Sequence, residues 1–376
     1  MICLVAFNDL MREYTLFFQL IQVALGIRDA LETSPSRMVW EAMYETAKKQ
    51  AVAGIAFSAI EKLMQYGQQP SKELLLKWIG LNEQIYLRNR QVCQRCINLE
   101  ELLAETNFKC CILKGQGTAL YYQNPLCRQS GDIDVWVTKD GRCETDDVRS
   151  EVLSFFKGKG YHIGHVDIKH SDVDIFEDVP VEVHFIPSWM YSPWKNKILQ
   201  RFFNVQANTQ SQNYDKNTGF THTTVDFDLV FSLVHIYRHM LDEGIGLRQI
   251  LDYYHILIHS NQKQREDALK VLESLGMSSF VGGLMWVLKE CFALNEEYNL
   301  CGINEEHGRF LLSEILTAGN FGRFDDRYRL RQNRWANGIQ NVIRNLRFFR
   351  YYPSEVLWSP FWKIWHYCWR KWKGYL

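Results

Sequence analysis

The chain lacks a charge excess. Its 376 residues carry 43 Lys and Arg against 43 Asp and Glu, so the formal net charge is zero. Whole-molecule attraction to bulk nucleic acid is therefore not expected. It also lacks a cysteine framework. Ten cysteines are scattered, Cys110 and Cys111 are adjacent, and the single C-x-x-C, Cys93 and Cys96, has no second pair. A zinc ribbon or disulfide scaffold is not expected, and a reducing cytoplasm fits. No run of about 18 uncharged apolar residues occurs, so no transmembrane helix is expected. The opening MICLVAFNDLMREYTLFFQLIQVALG is apolar in flavour. Asp9, Arg12 and Glu13 interrupt it and no basic region precedes it, which argues against a signal peptide. What is present is ordinary for a soluble globular protein, 47% hydrophobic and 23% charged, apart from 14% aromatic residues and 12 Trp. The length suits two domains, or three small ones.

Residues 1–107 read as a helical region. MVWEAMYETAKKQAVAGIAFSAIEKLMQ has apolar residues at helical spacing and is punctuated by Gly67 and Pro70. A long periodic segment follows, with Ser71 as its cap. At Phe108 the texture changes. KCCILKGQG reads as a short strand and a glycine turn, and TALYYQN as a helix start. Backbone amides at such a turn favour an anion such as phosphate, and Lys114 adds a point charge.

The central stretch is GDIDVWV, Gly131 to Val137. In a strand, Asp132, Asp134 and Trp136 share one face, and Ile133, Val135 and Val137 the other. Two carboxylates side by side are costly unless a cation sits between them, and hard Mg²⁺ is the natural guest. CETDDVRSEVLSFFKGKGY reads as an amphipathic helix, and HIGHVDIKHSDVDIF and PVEVHFIP as strands. On the last strand Glu182 and His184 share one face, so Glu182 can complete a carboxylate triad. The plainer reading of GDIDVWV alone is a strand end with two solvated aspartates.

From about residue 223 the chain reads as helical again. His235 and His239 stand at i and i+4 on one helix face. The glutamate of a zinc-binding H-E-x-x-H is missing, so packed histidines near a cleft are expected. Arg248 and Asp252, also i and i+4, form a helix-face pair or touch substrate. In the tail, residues 341–376 carry seven Lys or Arg and one acid, Glu355. Trp358, Trp362, Trp365, Trp369 and Trp372 recur at spacings of four, three, four and three, one stripe on a helix. Tryptophan flanked by cations marks an interfacial membrane helix or a docking helix, and a stripe packed on the protein's own core gives the same pattern. Pro353 and Pro360 are expected to bound this segment.

Taken together, LKGQG, R-x-x-GDIDVWV and VEVHF resemble the nucleotidyltransferase superfamily that includes the DNA polymerase β palm. Within it the chain looks closest to the bacterial uncharacterised nucleotidyltransferase family. The carrying residues are Leu113-Lys114-Gly115, Gly131 to Val137, Val181 to Phe185, His235 with His239, and Leu247-Arg248 with Asp252. The resemblance implies an α+β fold, with a small mixed-sheet, polymerase β palm-like core at 108–222. Helical regions at 1–107 and 223–376 flank it. It implies a Mg²⁺-dependent transfer of a nucleoside monophosphate from an NTP, ATP among the candidates, to a hydroxyl of an unknown acceptor. Asp132, Asp134 and Glu182 would hold two Mg²⁺ ions and carry catalysis. Lys114, Gly115, Gln116, Gly117, Arg128 and Gly131 would bind the nucleotide. His184, His235, His239, Arg248 and Asp252 would contact substrate. One departure is clear: the superfamily's Gly-Ser is Gly115-Gln116 here, so Lys114, Gln116 or backbone amides must replace the serine's phosphate contact. The rival readings are a metal-dependent phosphohydrolase using the same acids, and a non-catalytic binding protein docked through its Trp/basic tail. The expected location is the cytoplasm, with peripheral membrane or protein contact through Trp358–Trp372 left open.

Overall fold

The computed structural model describes residues 4–139, 146–325 and 344–375. Residues 143–145 of the expected amphipathic helix and 341–343 of the basic tail lie outside them. Four helices come first: α1 (Leu4–Ala24), α2 (Arg37–Lys49), α3 (Ala53–Met64) and α4 (Lys72–Ala104). Ser71 caps α4 as expected, its hydroxyl accepting from Leu74 N. The buried residues of α4 run from Leu74 and Trp78 through Ile85, Asn89, Val92 and Cys96 to Leu99 and Leu103. Their spacings of three, four and seven make one stripe, which faces inward along the whole helix.

The sheet has the order β1-β2-β5-β4-β3. Its strands are β1 (Phe108–Ile112), β2 (Ile133–Lys139), β3 (Ile163–Val166), β4 (His170–Val173) and β5 (Val181–His184). β1 is antiparallel to β2, β2 is parallel to β5, and β4 is antiparallel to both β5 and β3. The short α5 (Gln116–Ala119) follows the glycine turn, and α6 (Asp146–Gly158) precedes β3. The parallel β2–β5 pair needs a crossover, and the α6–β3–β4 segment supplies it.

Period-two alternation sorts the sheet residues onto two faces. Ile133, Val135, Val137, Val181, Val183 and Phe185 join a core with α4 and α6. Trp136 points the other way and stacks on Phe227 at 5.6 Å between ring centres. That second face meets α7 (Pro193–Gln210) and α8 (Val225–Asp242), followed by α9 (Leu247–Ile258), α10 (Gln262–Ser274), α11 (Ser278–Phe292) and α12 (Glu305–Ala318). A small ribbon, β6 (Tyr214–Asp215) and β7 (Phe220–Thr221), links α7 to α8. The larger core runs from α1–α3 through Trp136 to α8–α12, and α1 packs on α11. The first and last helical regions thus share one apolar interior.

The tail forms α13 (Pro353–Lys373). Pro353 opens it, but Pro360 lies inside it rather than bounding it. A proline forfeits one backbone hydrogen bond, and here the helix continues through that loss because both sides of residue 360 pack on α7 and its preceding loop. The tryptophan stripe divides by burial. Trp358 meets Trp194, and Trp362 meets Trp189 and Tyr191. Trp369 meets Arg149. Trp365 and Trp372, on the outer edge of the same arc, are exposed. Among the described residues no helix is long and apolar enough to cross a membrane.

Candidate active site

Asp132 ends the loop before β2, Asp134 is the second residue of β2, and Glu182 the second of β5. Because β2 and β5 pair in parallel, Asp134 stands directly opposite Glu182 and Trp136 opposite His184. Paired residues of one register share a face, so the acids converge. Oxygens of Asp132, Asp134 and Glu182 lie within 4.8 Å of one another.

Three carboxylates this close must be compensated. Asp132 shows the strain: the charge of Asp134, then burial, raises its pKa. Burial pushes Asp134 and Glu182 up as well, but cations win. Lys114 and His184 hold Asp134 below the usual carboxylate range, and His184 and His170 do the same for Glu182. Lys114 Nζ sits 3.1 Å from Asp134 Oδ2. His184 Nε2 is 2.9 Å from Asp134 Oδ1 and 3.3 Å from Glu182 Oε2. Burial alone would lower the His184 pKa, but these two carboxylates raise it. A protonated His184 donates from Nε2 to both.

The donor set fits a hard divalent cation. Asp134 is 2% exposed, and its Oδ2 accepts no well-formed hydrogen bond, with only the Lys114 ammonium beside it. Three carboxylates offer oxygen ligands at one point, which suits Mg²⁺ or Mn²⁺ better than zinc. His170, Glu182 and His184 form an adjoining cluster whose donor atoms also lie within 4.8 Å of one another.

Two cavities open on either side of these acids. The smaller is lined by Lys114, Gly115, Thr118, Arg128, Asp132 and Arg248, among others. The turn beneath it depends on Gly115, whose φ of +62° and ψ of −106° are open to glycine and strained for other residues. The two arginines differ in kind. Arg128 donates to both carboxylate oxygens of Asp252 at 2.7 and 2.8 Å, and Tyr122 donates to the same carboxylate. Arg248 donates from Nη1 to Gln129 O, and its buried Nε has no partner. Among the described residues no carboxylate comes within ion-pair distance of Arg248. Burial, then the Arg128 charge, pulls its pKa down to about 10. The expected Arg248–Asp252 helix-face pair is therefore replaced: the tighter partner of Asp252 arrives from the loop before β2. Gly131 and Asp252 also line this cavity.

Gln116 and Gly117 stand apart from it. The Gln116 side chain is buried against α4, where its amide reaches Asn89 O and Cys93 Sγ. Asn89 in turn donates to Leu126 O and Arg128 O, fixing the loop that carries Arg128. A Cβ at Gly117 would lie 3.2 Å from His222 Cβ and 3.3 Å from Ile112 O, so this glycine serves packing.

The larger cavity, about 560 Å³, is lined by Lys169, His170, Glu182, His184, Trp189 and Arg238, among others. His235 lines both cavities. Burial and the Lys114 charge drive its pKa well down, so it stays neutral. His239 packs against His235, ring centres 4.2 Å apart and planes tilted by 59°, and lies 3.3 Å from Glu243.

A sequence model of the family described as "Uncharacterised nucleotidyltransferase" matches residues 36–293. The chain belongs to this family. No curated protein matches it. As a member of a nucleotidyltransferase family, it is assigned a transferase role, with a nucleotide as the expected ligand. The match spans α2 to α11 and so takes in the acids and most of the lining of both cavities, Phe321 and Arg323 lying beyond it. Residues that stand in no motif of the sequence also line the two cavities. Thr118 and Ser232 line the smaller cavity, and Lys169, Trp189 and Arg238 the larger one. Thr118 had a local signal, a hydroxyl residue directly after the second glycine. The others had none, because they reach the site from α8 and from loops distant in sequence. His170 lies in HIGHVDIKHSDVDIF, where nothing sets it apart from the neighbouring His and Asp residues, and the β4–β5 pairing sets it opposite His184.

Proposed function

We propose that this protein is a Mg²⁺-dependent nucleotidyltransferase of polymerase β palm-like design, moving a nucleoside monophosphate from an NTP to an acceptor hydroxyl. The supporting observation is the in-register pairing of Asp134 with Glu182 beside Asp132, between a cavity lined by Arg248, which has no carboxylate within ion-pair distance among the described residues, and a larger one of about 560 Å³. Asp132, Asp134 and Glu182 are the proposed ligands of two Mg²⁺ ions. Bound there, the ions would offset charge on the transferring phosphoryl group and the leaving pyrophosphate and ease ionisation of the acceptor hydroxyl.

The chain's own groups do the rest. Arg248 and Lys114 bind phosphate oxygens, and backbone amides of the Gly115 turn replace the missing serine contact. Arg128, held by Asp252, positions the loop and adds positive potential. His184 orients Asp134 and Glu182, and Glu182 assists proton removal from the acceptor. The acceptor enters the larger cavity, under α8. In this reading the region 108–222 supplies the acids, and 223–376 closes over the substrates. ATP is the first nucleotide to test, and the cytoplasm is the proposed location.

Incubating the protein with Mg²⁺, each labelled NTP and a cell extract tests the proposal. Label transferred to an acceptor supports it. Release of free phosphate without transfer would instead indicate a phosphohydrolase.

A further inference from the structure

α13 is apolar on two sides. Its inner side carries Trp358, Trp362 and Trp369 against the body of the protein. Its outer side carries Leu357, Phe361, Ile364, Trp365, Cys368 and Trp372. These stand at i, i+4, i+7, i+8, i+11 and i+15, which fall on one face of a helix. Every one of them is exposed, Phe361 by 66% and Trp372 by 79%. Trp194 of α7, 68% exposed and 5.3 Å from Trp358, extends the patch onto a second element. Among the described residues nothing covers it. A contiguous apolar surface of this kind marks an interaction site.

Charge decides what it meets. α13 contains Lys363, Arg370, Lys371 and Lys373 and a single acid, Glu355. Glu355 is fully buried, accepting from Tyr191 N and Ser192 N. The exposed helix surface therefore presents no anion; Lys371 stands beside the outer stripe and Lys373 lies over the Trp372 ring, while Lys363 lies over Tyr191 and Arg370 donates to Tyr375 O. Tryptophan and aliphatic side chains on one face, with Lys371 beside it, Lys373 at its end and the one acid buried, match the boundary of an anionic bilayer, where indole rings sit among headgroups and ammonium groups meet lipid phosphates. The helix is too polar to span, so it would lie in the membrane plane.

We propose that the outer face of α13, extended by Trp194, docks the protein on an anionic lipid surface. The inner face of the same helix holds Trp189 through Trp362, and Trp189 lines the larger cavity. Docking thus anchors the protein one side chain away from the proposed acceptor cavity. The proposal stands apart from the nucleotidyl-transfer reading, because vesicle binding is measured without nucleotide.

The test is co-sedimentation of the full chain with vesicles of phosphatidylcholine, with and without about one-third phosphatidylglycerol. The expected result is binding to the anionic vesicles that falls about tenfold in Phe361→Asp/Trp372→Asp, and falls similarly for the parent protein on phosphatidylcholine alone. Both substitutions lie at exposed positions, and an unchanged melting curve checks the fold. Lys371→Gln, which leaves the apolar stripe intact, should weaken binding and reduce its salt sensitivity. Absence of binding to anionic vesicles, or equal binding by the double variant, overturns the proposal. So does a concentration-dependent dimer that the double variant abolishes while the parent ignores vesicles, since a second copy would then own the face.

Discussion

At the scale of single residues, the two buried arginines make the clearest contrast. Arg128 is locked by two hydrogen bonds to Asp252, whereas Arg248 has no carboxylate partner among the described residues. Arg128→Ala strands a buried carboxylate that Tyr122 alone cannot satisfy, and should cost about 3–5 kcal/mol of stability. Arg248→Ala removes a charge that makes no ion pair with a described carboxylate and should lower the melting temperature far less. Its effect should fall on nucleotide affinity, by about tenfold or more. Thermal melts and NTP titrations on the two variants separate these outcomes; equal loss of stability in both would contradict the assignment. Asp228 offers a pH signature. Burial raises its pKa to about 7, although Tyr121 donates to its Oδ2 at 3.0 Å. The folded state therefore keeps a proton that the unfolded chain releases near pH 4. Between those two values the folded state binds more protons, so stability falls as pH rises and reaches its floor above pH 7. Asp228→Asn should gain about 2 kcal/mol on the parent between pH 5 and pH 8. Parallel melts at the two pH values check this, and an unchanged difference would show that Asp228 stays ionised throughout.

At the scale of elements, alternation was the legible part. Val135 against Trp136, and Val183 against His184, announce two-faced strands, and the structure sorts them that way. The pairing of β2 with β5 was not legible in the same sense. Glu182 could be placed on a face but not in a register, because register across a crossover depends on how α6 and the β3–β4 hairpin pack. The partner of Asp252 was hidden for the same reason: a spacing of four names Arg248, and the tertiary fold supplies Arg128. Helix α13 was legible as a helix with a tryptophan arc, but the arc's division into packed and exposed edges depends on where α7 lies. Its anchor is Glu355, whose carboxylate accepts from Tyr191 N at 2.7 Å. Glu355→Ala leaves buried amides unsatisfied and should cost about 1–3 kcal/mol. Faster amide exchange in α13, with the β-sheet unaffected, is the expected reading; uniform exchange through the whole chain would indicate global destabilisation instead.

At the scale of the molecule, the sheet is a partition. One face closes a small core with α4 and α6, and the other carries Trp136 and the acids toward the shared helical interior. The division into regions 1–107, 108–222 and 223–376 follows changes of sequence texture. Those boundaries are proposed as functional ones, since α1–α3 and α8–α12 bury their apolar faces together. That sharing left no trace in the sequence, because apolar periodicity tells a helix which side to bury and not which helix to bury it against. The site lies between the parts, which is why its acids could be named from two strand motifs while Lys169, Trp189 and Arg238 could not. The most direct measurement is calorimetric titration of Mg²⁺-NTP into the parent and into Asp132→Asn/Asp134→Asn, with labelled-NTP transfer followed in parallel. The account predicts Mg²⁺-dependent binding and transfer by the parent, with both reduced at least a hundredfold in the variant. Unchanged Mg²⁺-dependent binding and turnover in the variant would contradict it.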